Sequence, residues 1–322
     1  MSHQFESGFS VREHPWHGLG RVLEEAPEDQ AEILRLAGQD YEVIPTPLHS
    51  PAVWDGDVRT MESCEVKTHK ALRHSLTGEV LGVVSNRYET VQNDELLKTF
   101  GFLMRDRAVS IETAGVLASG KRVWWLFRVN IDPIEAVKGD EIKPYLLCGA
   151  GHDGRTGIRV AFTGVRVVCA NTERLAIGEA EQQKSLIKLR HSASIKEGLA
   201  TVREVIDCAK RTFDLTSEAY SIMARRSLAG SELKDYVDSI FRTPDRPADK
   251  PVRELEKVEA LFESGLGSDI PGVRGTAWGA YNAVSEYLSH HRGTSDAKRM
   301  DSLYFGEAGN LNTKAFDLAL KI

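Results

Sequence analysis

Three stretches of the chain hold residue types that can do chemistry. The first is Cys148-Gly-Ala-Gly-His-Asp-Gly-Arg-Thr-Gly157, which sets a histidine, a carboxylate and a guanidinium among four glycines. Glycine lets backbone come close to a ligand, and successive amides can form an anion-binding nest. His152, Asp153 and Arg155 add general-base and phosphate-binding capability. The plainer reading is a wide hairpin loop with Asp153-Gly154 at its tip, and it is favoured because no phosphate-loop spacing is present. The second stretch, Arg166-Val-Val-Cys-Ala-Asn-Thr-Glu173, reads as a strand running into a helix capped by Asn171 or Thr172. A helix N-terminus there would make Asn171 and Thr172 anion-binding candidates and lower the pKa of a nearby thiol. Cys169 as nucleophile with His152 as base is the catalytic reading. Against it stands Cys169 as a small apolar residue beside an ordinary cap, which needs no chemistry.

The third stretch is basic and aromatic. Across a strand, Arg122, Trp124 and Arg128 share one face by the period-two rule, with Leu126 between them. Val123, Trp125, Phe127 and Val129 share the other. Cations interleaved with an aromatic ring suit a single nucleic-acid strand, through ion pairs and stacking. Arg155, Arg159 and Arg166 extend that set. The competing reading covers the strand on both sides, with Trp124 in the core and the arginines paired to carboxylates.

These residues need elements to hold them. Asp55-Gly56 and Thr77-Gly78 mark turns between strand-like segments at about 41–49, 58–68 and 80–84. Asn93 caps a helix with Leu96, Leu97, Phe100 and Leu103 at helical spacing. Val109–Leu117 and Lys121–Ile131 form a hairpin across Ala118-Ser119-Gly120, and Tyr145–Cys148 meets Ile158–Phe162 across the glycine loop. Beyond about residue 190 the pattern turns helical, through Leu199, Val202, Val205, Ile206, Ala209 and Phe213. Further helices are expected near 231–241, 251–264, 276–291 and 312–321. The expected fold is α+β: a strand-rich, largely antiparallel body over residues 1–190, and a mainly helical region over 191–322 packed on it.

Composition narrows the function. The 322 residues are 41% hydrophobic and 27% charged, as in an ordinary globular protein. Charges interrupt every apolar run, so no membrane span is expected, and the first residues lack the pattern of a secretory signal. Cys64, Cys148, Cys169 and Cys208 form no CxxC pair, which points to a reducing cytoplasm and to neither a zinc ribbon nor another metal site. His14 and His17 lack a carboxylate at ligand spacing. The net charge of −6 is unevenly spread: residues 101–226 hold 20 basic and 15 acidic residues, whereas 1–100 hold 9 and 17. A basic face therefore has to come from the middle of the chain.

Several motifs together resemble a known family. They are Trp16-His-Gly-Leu-Gly20, Leu81-Gly-Val-Val-Ser-Asn-Arg-Tyr88 with Val91-Gln-Asn93, Thr113-Ala-Gly115, His152-Asp-Gly154, Arg166-Val-Val-Cys-Ala-Asn-Thr172, and Gly275-Thr-Ala-Trp278 with Tyr281-Asn-Ala283. The pattern resembles the phage/plasmid-like family built on a domain of unknown function, found in bacteriophages, prophages and plasmids. Ala170 stands where the family usually has glutamine. The resemblance supplies a setting of replication and recombination rather than catalytic residues; Trp16, Gly20, Tyr88, Arg166, Cys169, Asn171 and Thr172 are site candidates by resemblance alone. The resulting expectation is a non-catalytic accessory protein that binds or anneals single-stranded DNA, acts as a homo-oligomer without a cofactor, and meets host replication or recombination proteins. The alternatives are an enzyme or anion binder centred on residues 148–174, and a host-protein-binding factor.

Overall fold

The computed structural model describes residues 5–12, 20–55, 58–105, 108–166, 171–174, 186–191, 209–244, 247 and 250–322. The strands are β1 (Phe5–Val11), β2 (Arg21–Leu23), β3 (Val43–Ser50), β4 (Val53–Asp55), β5 (Val58–Met61), β6 (Cys64–His74) and β7 (Val80–Ser85). They continue as β8 (Val109–Leu117), β9 (Arg122–Val129), β10 (Ile134–Glu135), β11 (Glu141–Gly151), β12 (Ile158–Arg166), β13 (Asn171–Arg174) and β14 (Leu186–Leu189). The helices are α1 (Gln30–Ala37), α2 (Asn93–Arg105), α3 (Ala209–Arg225), α4 (Gly230–Phe241), α5 (Leu255–Ser264), α6 (Ala277–Glu286), α7 (Asp296–Phe305) and α8 (Glu307–Ala319). A π-helical turn, Tyr287–His291, extends α6. The fold is α+β, with strands concentrated in the N-terminal part and helices in the C-terminal part. No helix among the described residues is long and apolar enough to cross a membrane.

The main sheet runs in the order β13-β12-β11-β9-β8-β1-β2, with β10 on β11 and β14 on β12. Its pairings are antiparallel except β1 with β2. Alternation along β9 explains the layers. Val123, Trp125, Phe127 and Val129 enter a core shared with α1, α2 and the small sheet. Trp124 and Leu126 point the opposite way, into a second core built with the C-terminal helices. Both faces are apolar, so both must be covered. The β8–β9 turn takes φ of 55°, 56° and 82° at Ala118, Ser119 and Gly120, a left-handed run that closes the hairpin.

The small sheet, β3-β6-β7, stands beside the main one, and β3 and β6 lead outward to the two-stranded β4–β5 tip. Two helices are absent from the sequence-based expectation, α1 and α7. One expected helix is a strand. Asn171–Arg174 pairs antiparallel with Thr163–Arg166, so the chain continues the ladder where an Asn-Thr cap had been expected. Strand pairing at a sheet edge overrides the local capping preference.

Candidate functional site

The face expected to bind nucleic acid lies underneath helices. Trp124 is fully buried, its ring 5.5 Å from that of Tyr304 on α7. Arg122, half-buried, donates from Nε to Asp153 Oδ2 at 3.3 Å and from Nη1 to Asp301 of α7. Arg159 donates from Nη1 to the Phe305 carbonyl at 3.0 Å, and burial lowers its pKa. Arg166 is fully buried. Trp124 and Arg166 therefore reach no ligand at the surface, and Arg122 is held between two carboxylates. The cause is α7, which lays Asp301, Tyr304 and Phe305 over this face. Arg155 remains exposed, and Arg128 is half-buried. Cys169 lies outside the described residues, as do His14, Trp16 and His17; Asn171 and Thr172, being in β13, mark no helix N-terminus.

Arg166 instead anchors a joint between the main sheet and the helices. Its Nε donates to Asp140 Oδ1 at 2.6 Å and its Nη2 to Asp140 Oδ2 at 2.9 Å, a two-point pair. Two more of its donors reach the carbonyls of Leu266 (2.9 Å) and Gly267 (3.2 Å). Trp278 Nε1 completes Asp140 with a 2.7 Å bond, and the guanidinium lies 5.9 Å from the centre of the Trp278 ring. Burying two charges is costly, and here partners on β12, the β10–β11 turn, α6 and the 266–267 backbone compensate them.

The glycine loop belongs to a second joint, between the main sheet and the small one. Asp153 Oδ1 accepts the N–H groups of Arg155 and Thr156, both at 2.8 Å, and its Oδ2 accepts the Thr156 hydroxyl at 3.1 Å. Burial alone would raise the Asp153 carboxyl; these donors and Arg122 bring it below its ordinary value. The amides of Arg155 and Thr156 are thus spent on the loop's own aspartate, and that of His152 on the Lys121 carbonyl, which works against an anion nest. Its backbone presses on β7, where a Cβ at Gly82 would sit 2.7 Å from the His152 carbonyl oxygen. His152 is fully buried and its Nε2 meets Asn93 Oδ1 of α2 at 2.9 Å; its Nδ1 has no hydrogen-bond partner among the described residues. Burial, with the neighbouring His191 and His74 opposing Asp153, holds its pKa down at about 3. A neutral, enclosed imidazole of this kind is a packing group more than a base facing substrate. Around it, Tyr41 stacks on His74 at 3.8 Å and Tyr88 on His191 at 4.5 Å, and the Tyr88 hydroxyl donates to the Gly151 carbonyl at 3.2 Å. Asn93 Nδ2 donates to the Gln39 carbonyl at 3.0 Å, and Gln92 exchanges two bonds with the Val43 backbone.

What stands open is the outward face of the small sheet. In β6 the even positions Leu72 and His74 turn inward and are buried, whereas Lys67, His69 and Arg73 face out and are exposed. Ile44, paired with Arg73, and Val80 and Val83 on β7 are exposed beside them. Glu65 is the acid on the same face of β6. At the far tip Trp54 is 59% exposed and Met61 65%. Pro45 and Pro47 lie in the edge strand β3, where they withhold N–H donors and discourage pairing with another strand. Sequence reading placed these strands but not their exposed face, because exposed valine and isoleucine in a strand read the same as buried ones.

Residues 80–304 match the family model described as Domain of unknown function (DUF932). Since that span covers most of the chain, the protein belongs to this family. No curated protein and no solved structure matches it. The motifs quoted for the resemblance fall largely on the two joints. Tyr88, Asn93 and His152-Asp-Gly154 meet in one, and Arg166 and Trp278 in the other.

Proposed function

We propose that the protein is a non-catalytic nucleic-acid-binding accessory factor that holds single strands on the projecting sheet of residues 43–85. The observation that carries this reading is the bare outward face of that sheet, where Lys67, His69 and Arg73 lie among exposed Ile44, Val80 and Val83 with Trp54 at the tip. Cations follow a phosphate backbone, and an exposed indole offers a stacking platform that any base can use. A β-ribbon is also a known way of presenting side chains to nucleic acid. Proline in the edge strand favours engagement through the face over strand addition.

The reading includes a mobile-element setting, phage, prophage or plasmid, with work in the cytoplasm on annealing or recombination. It also includes assembly of several copies along one strand and contact with host replication or recombination proteins. Its test is fluorescence anisotropy with labelled single- and double-stranded oligonucleotides over a salt series. Tighter binding of the single strand, weakening linearly in log salt, is expected. A K67A/R73A double variant should bind more weakly and with a shallower salt slope. Wild-type affinity in that folded variant, or no binding at low salt, would overturn the reading.

A further inference from the structure

The main and small sheets share no ladder among the described residues. Apolar contacts of Val43, Leu72, Leu81 and Val84 join them in the shared core, and polar ties gather around histidines. The chain enters the small sheet past Tyr41, which stacks on His74 and donates its hydroxyl to the Gly120 carbonyl at 2.6 Å. It leaves past Tyr88, which stacks on His191, and Glu89, whose N–H donates to the His191 carbonyl at 3.2 Å.

The hydrogen bonds fix which nitrogen of each buried ring carries the proton. Asn93 Nδ2 donates to the Gln39 carbonyl, so Asn93 Oδ1 is an acceptor and His152 Nε2 is the N–H. His191 Nδ1 meets the Glu89 carbonyl at 3.1 Å, so Nδ1 is the N–H there. The lone pairs of His152 Nδ1 and His191 Nε2 remain, both buried and both without a partner among the described residues. A second proton on either ring finds no acceptor, and burial lowers both pKa values. The surrounding groups do not reverse this. His191 and His74 of β6 oppose a charge on His152. Asp153 favours a charge on either ring, but it is already met by Arg122 and by the Arg155 and Thr156 amides. Lys70 of β6 donates to the Tyr88 carbonyl at 2.8 Å, α2 presents the neutral Asn93 amide, and His74 Nδ1 accepts the N–H groups of Leu76 and Thr77.

We infer that this joint is a proton-operated release: protonation of His152 at Nδ1 and His191 at Nε2 frees the small sheet from the main one while the C-terminal helices stay packed. In the opened joint water accepts the protons that the closed joint leaves without a partner. Three strands stripped of their packed face are marginal, so the freed sheet also exposes its amides. The inference does not depend on the nucleic-acid reading.

Hydrogen exchange of the full chain at pH 7.5 and 5.5, corrected for intrinsic rates, tests it. An imidazole of ordinary pKa in the opened state raises opening about tenfold over that interval, so two raise it about 100-fold. Amides of β6 and β7 should lose about 100-fold in protection and, at pH 5.5, exchange faster than those of α6. His152→Gln keeps an N–H where Nε2 stood and His191→Asn keeps one where Nδ1 stood, and neither takes a second proton. Each single variant should cut the pH effect to about tenfold, and the double variant should abolish it. The inference is overturned if β6, β7 and α6 share one protection factor at pH 5.5, the mark of global unfolding alone. It is equally overturned if wild-type protection in β6 and β7 does not fall between the two pH values, or if the folded variants keep the wild-type fall.

Discussion

The main sheet and the small sheet handle their cations differently. The main sheet is covered on both faces, and the arginines it turns toward the helices are met by carboxylates or carbonyls: Arg122 by Asp153 and Asp301, Arg159 by Phe305, Arg166 by Asp140. The small sheet packs its inner face on the shared core through Val43, Leu72, Leu81 and Val84, and leaves its outer face with Lys67, His69 and Arg73 in solvent. Arg73 does donate from Nε to the Gly78 carbonyl of its own hairpin at 3.0 Å, but no helix among the described residues lies over it, so the same residue types are covered in one sheet and exposed in the other. Coverage, more than composition, separates a buried, structural arginine from an exposed one.

Breaking the covered sheet should give the largest effects. Arg166→Met leaves the buried Asp140 carboxylate without its guanidinium, with Trp278 as its remaining side-chain partner among the described residues, and urea unfolding should show a loss of about 3–5 kcal/mol. Trp124→Ala should cost a similar 3–5 kcal/mol, since it empties a filled position under α7. An indole that served only a ligand would lower affinity and leave the unfolding midpoint unchanged.

The joint between the sheets predicts a pH dependence. His152 has a folded pKa of about 3 against an ordinary 6.5. The unfolded chain therefore takes up a proton that the folded chain refuses, so stability is full above pH 6.5 and falls as pH drops toward 3. The loss is roughly 1.4 kcal/mol per pH unit, or about 2 kcal/mol at pH 5. His191, also lowered by burial, adds to the same slope. Urea midpoints measured at pH 7 and pH 5 check this, and His152→Gln, which cannot titrate, should flatten the difference.

The smallest stability effects belong to the bare face. Trp54→Ala and K67A/R73A should each stay within about 0.5 kcal/mol of wild type. On single strands, however, loss of two phosphate contacts should reduce the log–log salt slope by about 1.4. A large destabilisation by Trp54→Ala would mean that the tip is part of a core, and the contrast between the sheets would fail.

Much of this architecture was legible in the sequence. Period-two alternation separated the two faces of β9, and Thr77-Gly78 and Ala118-Ser119-Gly120 placed the hairpins. The candidate face was misread because alternation tells which residues share a side, not what lies over it. The covering helix α7, Asp-Ala-Lys-Arg-Met-Asp-Ser-Leu-Tyr-Phe, is only ten residues long, so its buried set Ala297, Met300, Leu303 and Tyr304 is too short a run to stand out in the sequence. Arg166 was invisible as a buried group because its partners Asp140 and Trp278 lie 26 and 138 residues from their contacts. Asn171-Thr172 failed for the opposite reason, since a good local cap signal was overruled by a sheet edge 5 to 11 residues away in the ladder.

The most direct test of the central claim is photo-cross-linking of a single-stranded oligonucleotide carrying a photoreactive thymidine analogue, followed by peptide mapping. Cross-links should concentrate within residues 43–85, including the peptide that holds Trp54, and should fall away in K67A/R73A. Cross-links confined to the main sheet or the C-terminal helices, or their absence at low salt, would contradict the account.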